Sequence, residues 1–119
     1  MPILGIGTDI IEVNRIKEVF ERQPSFARRI FTQKELDYSL PKESKYLHLA
    51  ARFAAKEAVA KALGRSFSWQ DVEIVNNAEG KPIVILYGDA KKVAGEASIH
   101  VSISHTKHHA SAVAIVEKL

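Results

Sequence analysis

The chain of 119 residues contains no cysteine, which excludes disulfides, thiolate metal sites and thiol nucleophiles together and leaves only oxygen and imidazole as ligands for any metal. No run of about 18 consecutive apolar residues occurs, so no membrane-spanning helix is expected. The first ten residues, MPILGIGTDI, lack a basic segment and a long apolar stretch, so no signal peptide is expected and the chain reads as cytoplasmic, with no membrane partner. Gly5-Ile-Gly7 is not followed by the third glycine of a dinucleotide fingerprint, and no phosphate-binding G-x-x-x-x-G-K-[ST] run exists. No stretch is short of apolar residues, so disorder is not expected, and 119 residues suit one domain over 1–119, because two cores would each be too small to bury enough apolar surface.

What is present is unevenly charged. The formal net charge is +3, yet between Arg15 and Lys34 six basic residues (Arg15, Lys17, Arg22, Arg28, Arg29, Lys34) stand against Glu18 and Glu21 alone, and the remainder is slightly negative. Any one of these charges is ordinarily a solvated helix residue; clustered, they can attract an acidic protein, a nucleic acid or a membrane surface.

Residues 2–10 alternate as a strand, with Leu4, Ile6, Thr8 and Ile10 on one face and Ile3, Gly5, Gly7 and Asp9 on the other. A glycine-lined face admits either a closely packed helix or a ligand, and the neighbouring carboxylate favours the ligand. Residues 12–23 have amphipathic helical spacing up to Pro24, a short turn over 26–31 follows, and Thr32-Gln-Lys-Glu35 is a capping-box pattern opening a helix that Pro41 breaks. Residues 43–63 are rich in alanine and leucine, hold no glycine or proline, and stop at Gly64, so a long helix is expected there. Strands over 72–75 and 82–87 flank the turn-rich segment 76–81, a short helix is expected near 89–96, and two further strands over 98–104 and 110–116. Segregated helices and antiparallel strands make an α+β fold, a long helix packed on a small antiparallel sheet.

On the long helix Glu57 and Lys61 lie one turn apart, beside Ala50, Ala54 and Ala58. On spacing alone an ordinary surface ion pair is the better reading, but the small neighbours leave room for a ligand. If this helix crosses the glycine face of the first strand, Asp9 and Glu57 converge as two hard carboxylates suited to Mg2+, with Lys61 placed to meet a phosphate. His105 and Thr106, at a strand end, are placed to meet an anion; His108 and His109 are adjacent and point to opposite faces, which argues against a shared metal.

The segments Gly5-Ile-Gly-Thr-Asp9-Ile with Val13 and Arg15, Arg52-Phe-Ala-Ala-Lys-Glu57-Ala-Val-Ala-Lys61-Ala-Leu-Gly64, Gly80-Lys-Pro82 and His100-Val-Ser-Ile-Ser-His105 occur in this order along the chain. In sequence and separation they closely resemble the bacterial holo-acyl-carrier-protein synthases, which are 4'-phosphopantetheinyl transferases. The resemblance implies a single-lobed α+β fold assembling as a homotrimer, with coenzyme A as co-substrate in clefts between subunits, and transfer of its phosphopantetheine arm to a serine of an acidic acyl carrier protein in support of fatty acid biosynthesis. It implies that Asp9 and Glu57 bind Mg2+, that Lys61 contacts the pyrophosphate, and that Arg52, His105 and Thr106 lie near the 3'-phosphate end of the coenzyme. Arg15, Arg22 and Arg29 fall where relatives meet the carrier protein, while Ser25 stands where some have another basic residue. Larger two-lobed relatives carry a third acid where this chain has Ile11, so a water is expected to complete the coordination. The serine's proton goes to Glu57, directly or through water, or to a metal-bound hydroxide. A small basic module for RNA or another polyanion is the competing reading; it requires aromatic residues among the basic ones, and Phe20, Phe26 and Phe31 are spaced instead for buried helix faces.

Overall fold

The computed structural model describes residues 2–118. Strand β1 (Ile3–Glu12) runs directly into α1 (Val13–Arg22), followed by α2 (Pro24–Ile30), α3 (Gln33–Ser39) and the long α4 (Lys45–Leu63). A single helical turn at Trp69–Asp71 leads into β2 (Val72–Asn76) and β3 (Pro82–Leu86), then α5 (Gly88–Ala94), β4 (Ser98–His105) and β5 (His109–Glu117). The strands form an antiparallel sheet in the order β1-β5-β4 and a separate β2-β3 hairpin, an α+β arrangement as expected from the sequence. The expected turn over 26–31 is part of a helix that starts at Pro24, where the missing N–H and fixed φ of proline suit a first helical position.

The capping box is formed as read. Glu35 Oε1 accepts from the Thr32 backbone N–H at 2.8 Å, and Thr32 Oγ1 accepts from the Glu35 N–H at 3.3 Å. At its far end α4 closes on Gly64, whose φ of +92° is the left-handed conformation that a glycine adopts at no steric cost.

The position of α4 decides the rest of the fold. It lies across β1 and β5, and the contact surfaces are made of the smallest residues on both sides: Ala54, Ala58 and Ala62 from the helix against Gly5, Gly7, Ala112 and Ala114 from the strands. A Cβ placed at Gly5 would stand 1.9 Å from the carbonyl oxygen of Ala62, and one at Gly7 2.1 Å from that of Ala58. The glycine face therefore serves helix packing and not the approach of a ligand. The alanines serve the same packing: Ala50, Ala54 and Ala58 are fully buried, so their small size brings backbone to backbone and is not room kept for a ligand. A helix buried around most of its circumference is apolar on most faces, which is why its composition is so rich in alanine.

A second cluster, built on Ile16, Ile30, Phe31, Leu36 and Leu49, fixes the three short helices against the N-terminal half of α4. The outer face of the sheet is not covered: Leu4, Ile6 and Ile10 are 57%, 64% and 68% exposed.

Candidate functional site

Close packing of α4 on β1 brings Asp9, in the second half of the strand, against Lys61 in the last turn of the helix. Lys61 Nζ donates to the Thr8 carbonyl oxygen at 2.9 Å and to Asp9 Oδ1 at 3.3 Å. The helical partner suggested by spacing, Glu57, is not the one bonded: Lys61 reaches across the helix–strand contact to Asp9. Glu57 is half-buried nearby, and burial, followed by the charge of Asp9, pushes its carboxyl above the usual carboxylate range, with Lys61 opposing. Two carboxylates that repel in this way, one of them partly desolvated, are a donor set that a divalent cation relieves. Among the described residues no group of three or more His, Cys, Asp or Glu side chains forms a metal cluster, so Asp9 and Glu57 fit Mg2+ only as a two-carboxylate site completed by water and phosphate oxygens.

Asp9 and Glu57 open onto separate hollows that share no lining residue. Asp9 and Lys61 line an open cleft of about 470 Å3 with Thr8, Ser102, Ser104 and Ser111, while Glu57 lines a smaller one of about 250 Å3 with Ala60, Phe67, Trp69 and Val72.

Arg52 and His105 meet in a third cleft of about 520 Å3, which also holds Tyr38, His48, Asn76 and Lys81. Arg52 is buried; its guanidinium stacks on Tyr38, 4.2 Å from the ring centroid, and donates from Nη2 to Asn76 Oδ1 and from Nη1 to the His48 carbonyl, whereas its Nε has no partner among the described residues. Burial lowers the pKa of His48, and the positive charges of Arg52, Lys42 and His105 add to the effect. Thr106 is not part of this lining. It caps the β4–β5 reversal, where its Oγ1 accepts from the backbone N–H groups of His108 and His109 at 3.3 and 3.1 Å.

Arg15, Arg22 and Arg29 are exposed on α1 and α2. Phe31 is buried and stacks with Phe20 at 6.0 Å, so neither ring is presented for base stacking; Phe26, read from its spacing as buried, is 45% exposed. The polyanion-module reading thus loses two of its three aromatic rings.

Lys56 was passed over in the sequence. It is 2% exposed and pairs at 2.7 Å with fully buried Glu35, whose other oxygen accepts from the Ile74 N–H at 2.8 Å, so that one ion pair joins α3, α4 and β2. Burial lowers the pKa of Lys56, against the opposing pull of Glu35. The available signal was its place on the stripe Leu49, Arg52, Lys56, Val59, the buried side of the helix, where an ammonium needs a buried acid.

A sequence model of the 4'-phosphopantetheinyl transferase superfamily matches residues 5–115. The chain belongs to that superfamily. It is 51% identical over 116 residues, covering 92% of this chain and 91% of the relative, to the holo-[acyl-carrier-protein] synthase of Caldanaerobacter subterraneus subsp. tengcongensis. Among solved transferase structures, the holo-(acyl-carrier-protein) synthase of Bacillus anthracis in complex with CoA (3',5'-ADP) superposes with a TM-score of 0.84 at 37% identity, over 98% of both chains. The holo-ACP-synthase of Plasmodium yoelii superposes with a TM-score of 0.85 at 42% identity, over 97% of this chain and 94% of that one.

Proposed function

We propose that this transferase is a holo-[acyl-carrier-protein] synthase, which moves 4'-phosphopantetheine from coenzyme A to a serine of an apo acyl carrier protein and releases 3',5'-ADP. The observation that carries the reading is the Lys61–Asp9 ion pair at the α4–β1 crossing, with Glu57 near enough for its carboxyl to respond to both charges, in a chain of this superfamily. Asp9 and Glu57 are the residues that would hold Mg2+, which when bound neutralises charge on the coenzyme's diphosphate. Lys61 supplies a mobile ammonium to the same diphosphate. Glu57 takes the proton of the carrier serine, and the burial that raises its proton affinity supports this role. The serine oxygen bonds to the pantetheine-side phosphorus as the bond to the bridging oxygen breaks, and that oxygen leaves on 3',5'-ADP.

The Arg52–His105 cleft, rich in cationic and hydrogen-bonding groups and free of acids in its lining, suits the 3'-phosphate end of the coenzyme. Thr106 enters that role only if its hydroxyl hydrogen, not used in the turn, donates. Exposed Arg15, Arg22 and Arg29 suit an acidic carrier protein. Assembly as a homotrimer with coenzyme A between subunits is supported by the exposed Leu4, Ile6 and Ile10, too apolar a row to leave in water, and by the placing of Asp9 and His105 on opposite edge strands of the sheet. No helix among the described residues is long and apolar enough to cross a membrane.

The test is the mass of an apo carrier protein after incubation with the enzyme, coenzyme A and Mg2+. A gain of one phosphopantetheine group is expected, lost in Asp9→Asn and Glu57→Gln variants that remain folded. No gain on any acidic apo carrier, or full turnover by both variants, refutes the reading.

A further inference from the structure

We propose that Lys61 is a built-in counter-cation: its ammonium is seated on Asp9 and Thr8, a divalent cation evicts it from that seat, and the freed side chain then turns to the coenzyme's diphosphate. The inference rests on the reading of Asp9 and Glu57 as metal ligands. Three observations carry it. The seat has two points, Asp9 Oδ1 at 3.3 Å and the Thr8 carbonyl at 2.9 Å, so the ammonium is fixed to the strand and does not merely hover near a charge. The seat is chosen over a competing one, because Lys61 stands one helical turn from Glu57 and yet bonds to Asp9. The side chain is also free to leave: Lys61 is 54% exposed while Asp9 is 16% exposed, so the flexible partner lies in solvent and the fixed one in the fold.

Two cations cannot share one carboxylate without repelling each other, and a divalent ion has the larger charge. Once it takes Asp9, the four-carbon stem of Lys61 lets the ammonium swing away by rotamer change at small cost. The metal would thereby convert Lys61 from a partner of the protein into a donor for phosphate, so that the coenzyme meets a free ammonium only when the ion is in place. Seen from the other side, the ion pair weakens binding of the metal by itself and makes its retention depend on the coenzyme.

The experiment measures Mn2+ binding by the loss of its free electron paramagnetic resonance signal, without coenzyme A, for the wild type, Lys61→Met and Asp9→Asn, each checked for folding by thermal unfolding. It is paired with a crystal structure of the wild type soaked in Mg2+ alone. Removal of an exposed ion pair of this kind is expected to tighten Mn2+ binding about two- to five-fold in Lys61→Met, and the soaked crystal is expected to show Nζ beyond hydrogen-bond distance of Asp9. Equal affinity in wild type and Lys61→Met overturns the proposal. So does tighter binding with Nζ still seated on Asp9 in the soaked crystal, which is repulsion without exchange. If neither protein binds Mn2+ better than Asp9→Asn, the metal reading itself fails and the proposal goes with it, a pattern distinct from the other two.

Discussion

Gly7→Ala tests the packing on which the site depends. The new Cβ would lie 2.1 Å from the Ala58 carbonyl oxygen, 2.8 Å from the Ala62 nitrogen and 2.9 Å from Lys61 Cβ. Real Cβ atoms essentially never come within 3.0 Å, so the strand and α4 must part by about 0.9 Å, the difference between 3.0 and 2.1 Å, at minimum. Two of the three obstacles are backbone, which cannot rotate aside. The cost belongs at the upper end of the overpacking range of about 1–3 kcal/mol. The displacement falls two residues from Asp9 and beside Lys61, and a misplacement of roughly 1 Å costs on the order of 100-fold in turnover. Gly5→Ala is the control. Its Cβ clashes harder, at 1.9 Å from the Ala62 oxygen, but lies four residues, roughly 13 Å of strand, from Asp9. Urea midpoints should fall in both variants, while transfer to the carrier should fall much further in Gly7→Ala. Ala58→Gly should not rescue it, because the clash is with an oxygen that glycine also carries. A Gly7→Ala variant with wild-type midpoint and turnover, or a Gly5→Ala variant equally inactive, refutes this account of how the site is held.

Lys56→Met leaves Glu35 buried without its ion partner and should cost about 3–5 kcal/mol in denaturant unfolding; adding Glu35→Gln should recover part of the loss, and failure to do so would tell against an uncompensated charge as the cause. Glu57 has a folded-state pKa above its unfolded value, so ionised Glu57 opposes folding above the folded value and ceases to do so as the pH falls below the unfolded one. Without divalent ions, Glu57→Gln should therefore be more stable than wild type at pH 7 by a few tenths of a kcal/mol, small because the group is only half-buried and solvent screens it, and the gap should close toward pH 4; a less stable variant at pH 7 contradicts the assignment. Arg22→Glu should raise KM for the carrier protein, most at low salt, and leave KM for coenzyme A unchanged; equal change in both would remove Arg22 from the docking surface. If the proposed assembly uses the exposed sheet face, the wild type should sediment above the mass of one chain and Ile6→Lys should fall toward it; a wild type at the mass of one chain, or a variant with unchanged mass, refutes the use of this face.

The sequence by itself determined the elements and their order, because the signals involved are local. Alternation across 3–10, the capping box at Thr32–Glu35 and the uninterrupted alanine-rich run ending at Gly64 each act through neighbours a few residues away. It also marked Asp9, Glu57 and Lys61 as candidates for chemistry, as charges beside small residues. Only the tertiary structure decided what the small residues were for. Gly5, Gly7, Ala54 and Ala58 bring a helix backbone against a strand, and spacing cannot tell close packing from an open pocket, since both call for the absence of side chains. Tertiary contact likewise chose Asp9 over Glu57 as the partner of Lys61 and gave Lys56 its buried acid from α3, pairings across 52 and 21 residues that no local periodicity encodes.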